Sequence, residues 1–258
     1  MLLNFKNTQI YYTDKGQGSP LVLLHGLLEC SAMWNALIND LHPSYRIITI
    51  DLLGHGKSAC LDEEHTIEDM AEAVKAVLDH LNIFKAHVVG HSMGGYVALA
   101  LAEIVPELFT SFVLLNSTFK SDTEERKAQR LQTITLAQLA YHKLVRAAFK
   151  NLFAINSKHL NSAVYKEQLA LALKTPQKGF IAAQYAMMTR PDSFEVLKQL
   201  SCKKAIITGR KDPLIDSASL LEHIKGTEIA ALEFNAGHMA HIENEKELSY
   251  FINHFIDF

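Results

Sequence analysis

Apolar positions along this chain follow two periods that take turns. Nearly unbroken apolar runs recur at LVLL (Leu21–Leu24), RIITI (Arg46–Ile50), AHVVG (Ala86–Gly90), FVLLN (Phe112–Asn116), KAIIT (Lys204–Thr208) and EIAALEF (Glu228–Phe234). Short runs with no polar alternate predict strands covered on both faces. Between several of them the apolar residues return every three or four positions. In TIEDMAEAVKAVLDHLN (Thr66–Asn82), Ile67, Met70, Ala71, Val74, Val77, Leu78 and Leu81 make one helical stripe. Thr66 is its expected N-cap, with Asp69 three residues on. Strands alternating with helices predict an α/β fold: a mostly parallel twisted sheet with helices on both faces.

The alternation stops between Phe119 and Val196, where only helical patterns occur. They are SDTEERKAQRLQTITLAQLAYHKLVRAAF, SAVYKEQLALALK and GFIAAQYAMMT. The expected organisation is a core of residues 1–118 and 197–258, with 119–196 inserted as a helical cap over one end of the sheet. The charged opening of that insertion, Asp122 to Arg130, reads as a solvated helix face.

Composition narrows the class without choosing a chemistry. With 48% hydrophobic and 21% charged residues over 258 positions, the chain can bury a large core. A net charge of -3 gives no basic excess, so nucleic acid is not an expected partner. Cys30, Cys60 and Cys202 are an odd set without a C-x-x-C pair, which fits small packed thiols in a reducing compartment. MLLNFKNTQI lacks the continuous apolar region of a signal peptide, and no run reaches the roughly 18 apolar residues of a membrane span. A cytoplasmic location and a small-molecule partner are expected. Oligomeric state leaves no mark in the sequence.

The chemistry starts at VVGHSMGGYVALALA, Val88 to Ala102. A strand pattern ends at Gly90 and a helix pattern opens at Tyr96, so Gly90-His91-Ser92-Met93-Gly94 lies in a strand-to-helix turn. G-x-S-x-G there is a nucleophile elbow: the turn leaves room only for small residues two places either side of the serine and pushes its hydroxyl outward. The Met93 amide, at the helix start, then faces the space where an oxyanion develops.

Serine needs a base, and the base needs an orienting carboxylate. Asp212 in GRKDPLID follows one late strand, and His238 in NAGHMAHIE follows the last. Both loops are expected on the sheet edge that carries Ser92. Asp216 is the rival acid but reads more simply as a helix cap. His241 is the rival base. His238 and His241 as joint metal ligands is a weaker alternative, since no further ligand cluster accompanies them. A second oxyanion amide is expected from Leu27 in LVLLHGLLE. Beside it His25 reads as a hydrogen-bonded structural residue or a member of the pocket.

Taken in order, LLHGLL, DLLGHGKS, GHSMGG, GRKDPL and AGHMAHIE resemble the α/β-hydrolase superfamily in its serine-nucleophile, esterase-like branch. The resemblance spans the core on both sides of the insertion. It implies Ser92, Asp212 and His238 as a triad, Leu27 and Met93 as oxyanion amides, and two-step ester cleavage with no metal or organic cofactor. Ser92 stands where epoxide hydrolases and haloalkane dehalogenases carry aspartate, so their chemistry is not expected.

The same triad also serves thioesters, lactones and ketone-flanked carbon–carbon bonds. Menaquinone-pathway lyase-like relatives typically carry arginine four residues after the elbow serine, where this chain has Tyr96. A hydrolase-fold receptor that binds a small molecule without turnover is a further alternative. Gly56-Lys57-Ser58 imitates the end of a phosphate-binding loop, but Asp51 occupies the required first glycine and more simply ties the turn together with Ser58. For the pocket the cap offers Leu136, Leu139, Leu144, Phe149, Phe153, Phe180, Tyr185, Met187 and Met188, with at most one of the two adjacent methionines expected to face substrate.

Overall fold

The six apolar runs become the parallel part of a sheet in the computed structural model, which describes residues 1–257. They are β3 (Ser19–Leu24), β4 (Tyr45–Ile50), β5 (Ala86–His91), β6 (Phe109–Leu115), β7 (Lys203–Gly209) and β8 (Ala230–Phe234). Two strands precede them: β1 (Leu2–Phe5) and β2 (Thr8–Lys15). The described residues form one eight-stranded sheet in the order β1-β2-β4-β3-β5-β6-β7-β8, with β1 and β2 antiparallel to their neighbours and the rest parallel.

Successive residues of one strand feed opposite cores, as pleating requires. Val22 and Leu24 join the cluster under α2 (Ile67–His80) and α3 (Met93–Ile104). Leu21 and Leu23 join the cluster that also holds Leu37 and Leu248. Those two lie on α1 (Asn35–Asp40) and the last helix, α9 (Glu245–Asp257), so helices cover both faces. At the edge, β8 has only Phe234 buried, and that strand therefore departs from the expected two-sided burial. The expected start of α2 is present: the Thr66 hydroxyl accepts from the Asp69 amide at 3.0 Å, and the Asp69 carboxylate accepts from the Thr66 amide at 3.1 Å.

Between β6 and β7 the chain is helical, in α4 (Glu124–Asn151), α5 (Ala163–Ala172), α6 (Gln177–Thr189) and α7 (Phe194–Gln199). Helix α4 is kinked at Ala140, whose φ of -153° and ψ of 55° are non-helical. Aromatic contacts unite this region: Phe149, Phe153 and Tyr165 sit with ring centroids 5.3–5.7 Å apart. The segment leaves and rejoins the core at one place, where the Ser193 amide donates to the Phe119 carbonyl at 2.8 Å. Helix α7 then runs past residue 196, the boundary expected from sequence, and buries Leu197 in the α2–α3 core. Among the described residues no helix is long and apolar enough to cross a membrane.

Candidate active site

Ser92 sits between β5 and α3 with φ 50° and ψ -117°. A positive φ is costly for a residue with a side chain, so the surrounding packing holds it in place. Gly90 shows why the turn admits nothing larger, since a Cβ there would lie 2.5 Å from the Gly94 carbonyl oxygen.

The two late loops bring a histidine and a carboxylate to the serine. His238 Nε2 lies 2.8 Å from Ser92 Oγ, and its Nδ1 lies 2.7 Å from Asp212 Oδ2. That acid is in turn fixed on both oxygens. Oδ1 accepts from the amides of Leu214 and Ile215, and Oδ2 also accepts from Asn116 Nδ2 at 2.9 Å. Burial works to raise the Asp212 pKa, but His238 and these donors outweigh it and hold the carboxyl below its usual range. Asn116, at φ 45° just past β6, was not singled out in the sequence. Its only trace there was a polar residue closing an apolar run.

The rivals fall elsewhere. Asp216 caps α8 (Ser217–His223), accepting from the Ser219 amide at 3.1 Å. His241 is buried with neither ring nitrogen hydrogen-bonded, and burial pushes its pKa down to about 3. It cannot share a metal with His238, whose two nitrogens already face Asp212 and Ser92. His25 does not line the pocket: its Nδ1 meets the Gly26 carbonyl and its Nε2 accepts from the Leu52 amide.

The amides of Leu27 and Met93 have no hydrogen-bond partner among the described residues; Leu27 lines the same cavity as Ser92, and Met93 follows the serine at the start of α3. A buried pair that sequence reasoning missed holds this arrangement from behind. Glu29 accepts from the Gly26 amide at 2.7 Å and from His91 Nδ1 at 2.8 Å. His91 Nε2 in turn donates to the His238 carbonyl at 2.9 Å. Burial favours a neutral Glu29, but His91 overrides it and brings the carboxyl down to about 2. Burial likewise opposes charge on His91, yet Glu29 raises its pKa, so the two form an ion pair. One pair thus ties the loop before Leu27, the residue before Ser92 and the backbone of the base. Glu29 Oε1 lies 3.6 Å from His241 Nε2, too far for a hydrogen bond.

A cavity of about 640 Å³ opens over Ser92. Leu27, Leu28, Phe180, Met187 and Leu214 line it, while Met188 does not. Of the other apolar cap candidates named from the sequence, Leu136 and Leu139 are exposed to solvent instead. The expected solvated face from Asp122 to Arg130 holds at Glu124 and Glu125 but is corrected at its two ends. Asp122 and Arg130 are buried, and with Arg126 they line this cavity. Helical periodicity marks which residues share a face but cannot say that the core beneath that face is polar. Asp51 and Ser58 do tie their turn, with the Ser58 hydroxyl donating to the Asp51 carbonyl and Asp51 Oδ2 accepting from the Lys57 amide.

Relatives match over most of this chain and share its architecture. The chain is 30% identical over 227 residues to 3-oxoadipate enol-lactonase 1 of Acinetobacter baylyi, covering 87% of this chain and 83% of that one. It is 26% identical to a 2-hydroxy-6-oxononadienedioate/2-hydroxy-6-oxononatrienedioate hydrolase of Escherichia coli, covering 97% and 92%. The structure of a thermophilic esterase from Thermogutta terrifontis superposes with a TM-score of 0.90 at 25% identity, covering 97% and 93%. The profile described as alpha/beta hydrolase fold matches residues 19–245, a span that takes in the elbow, both late loops and the helical segment between β6 and β7. With an elbow, sheet order and relatives of this kind, the chain belongs to the α/β-hydrolase fold family of hydrolases.

Proposed function

We propose that this protein is a serine hydrolase that cleaves a small to medium carboxylic ester, open-chain or cyclic, through an acyl-enzyme. The observation that carries this reading is the relay Ser92–His238–Asp212, at 2.8 and 2.7 Å, beside two unengaged amides. His238 Nε2 takes the Ser92 proton as Oγ attacks the carbonyl carbon. Asp212 keeps the imidazole in the right tautomer and steadies its positive charge. The Leu27 and Met93 amides receive the oxyanion, each worth about 2.7–4 kcal/mol of transition-state stabilisation. His238 then returns the proton to the departing alkoxide, and water repeats the sequence to free the acid.

A carbon–oxygen bond is favoured because a lactone, the substrate class in the name of the 30%-identical relative, is itself an ester. The test is a series of p-nitrophenyl esters of increasing acyl length, together with a fluorophosphonate probe, on wild type and Ser92→Ala. Hydrolysis and one stoichiometric adduct on Ser92 are expected, both lost in the variant. Turnover by Ser92→Ala, or an adduct on another serine, would end the assignment.

A further inference from the structure

The polar wall of the cavity over Ser92 carries more positive charge than it neutralises. Asp122, buried where the helical segment begins, is shared by two arginines. Arg130 Nε donates to one of its oxygens, and Arg190 Nη1 donates to the other at 2.7 Å. The rest of each guanidinium is also engaged. Arg130 Nη1 donates to Gln184 Oε1 at 3.0 Å. Arg190 donates to the carbonyls of Met187 and Lys120, and its plane lies 3.9 Å over the Tyr96 ring. This trio keeps one surplus positive charge and no free donor fork facing substrate.

Arg126 is different. It lies one turn before Arg130 on α4 and lines the same cavity as Ser92. Among the described residues its side chain reaches no carboxylate, and its one hydrogen bond is from Nη1 to Gln129 Oε1 at 3.1 Å. Burial, and then the like charge of Arg130, depress its pKa, and the opposing pull of Tyr96 and Asp122 does not offset them, so the guanidinium holds its charge at a net cost. An anion would relieve both conditions. Glu29, the cavity's other deeply buried carboxylate, is already paired with His91.

We propose that the substrate carries a second, ionised carboxylate, which Arg126 holds while the scissile carbonyl lies at Ser92. A guanidinium with one bond to Gln129 and no carboxylate partner keeps donors for one planar fork and one unit charge, which matches a carboxylate better than a phosphate dianion. The position of the scissile carbonyl rests on the acyl-transfer reading above; the anion subsite does not.

The experiment compares two esters of equal chain length, mono-p-nitrophenyl glutarate and p-nitrophenyl pentanoate. Wild type is expected to favour the anionic ester by about tenfold or more in kcat/KM, chiefly through KM, the range of one charge-assisted hydrogen-bonded contact. Arg126→Gln should bring that ratio toward one, Arg126→Lys should recover part of it, and raising NaCl from 50 to 500 mM should shrink it. A wild-type ratio of one or less, or a ratio unchanged in Arg126→Gln, overturns the proposal. Calorimetry separates this failure from that of the hydrolase reading. If neither ester turns over and Ser92 takes no adduct, glutarate should still bind wild type about tenfold more tightly than Arg126→Gln, and equal binding overturns the subsite.

Discussion

Asp212 and Asp216 share one loop yet have opposite tasks. Asp212 has both oxygens committed and one facing His238, whereas Asp216 closes the first turn of α8. Neutralising the acid in Asp212→Asn should lower kcat by about 10⁴-fold, the loss typical when the triad carboxylate goes. Asp216→Ala should instead cost about 1 kcal/mol of stability through the lost cap, read as a lower urea midpoint. A reversal of those outcomes would exchange the two roles. That Ser92, Asp212 and His238 come together was legible because each follows the end of a strand pattern on the same sheet edge. Asn116 and Glu29 were not. Their partners lie 96 and 62 positions away in the chain, and only the folded sheet brings them together.

Elements were legible where the period was unmixed. The capped stripe of α2 and the continuous runs of β3 to β7 fall within a few residues of expectation. The β1–β2 hairpin was missed because β2 is half covered and Tyr11, between the buried Ile10 and Tyr12, blurs the apolar–polar alternation. The segment leading into α2 carries a charge-sensitive feature that no periodicity reveals. His55 and His65 are buried there, and burial pushes their pKa values down to about 3 and about 4. Both stay neutral in the folded protein, while the unfolded chain takes up protons near pH 6.5. Folding stability is therefore full above about pH 6.5 and declines as pH falls toward those lower values. Neither ring nitrogen of His65 is hydrogen-bonded among the described residues. His65→Leu should thus flatten the fall in urea midpoint between pH 7 and 5, and an unaltered slope would place the proton uptake elsewhere.

At the scale of the molecule, the helical segment between β6 and β7 builds most of the wall above the serine, and its two methionines divide in a way that can be measured. Met187 lines the cavity, and Met188 is half-buried outside it. A hydrophobic wall yields about 0.8 kcal/mol per methylene it covers, so kcat/KM should climb a few-fold per acyl carbon until the cavity is full. Met187→Ala should move that optimum to a longer chain, and Met188→Ala should leave it in place. Equal behaviour of the two variants would put the acyl pocket on another wall.

The backbone hydrogen bond between Phe119 and Ser193 closes the helical segment at its base, so the chain leaves and re-enters the core at one place. Strand register is set by neighbouring strands, so nothing between those two residues has to be in step with the sheet. Lineages can therefore trade this part, lengthening it or grafting another of equal footprint, without disturbing the loops that carry Ser92, Asp212 and His238. Contacts with the core limit the exchange: the His238 amide donates to the Leu152 carbonyl at 2.7 Å, Glu243 accepts from the Ala154 amide, Lys178 pairs with Glu63 and Gly179 abuts Gly54, so a replacement must meet the core at those points. Descent can then revise what the protein selects far faster than how it reacts.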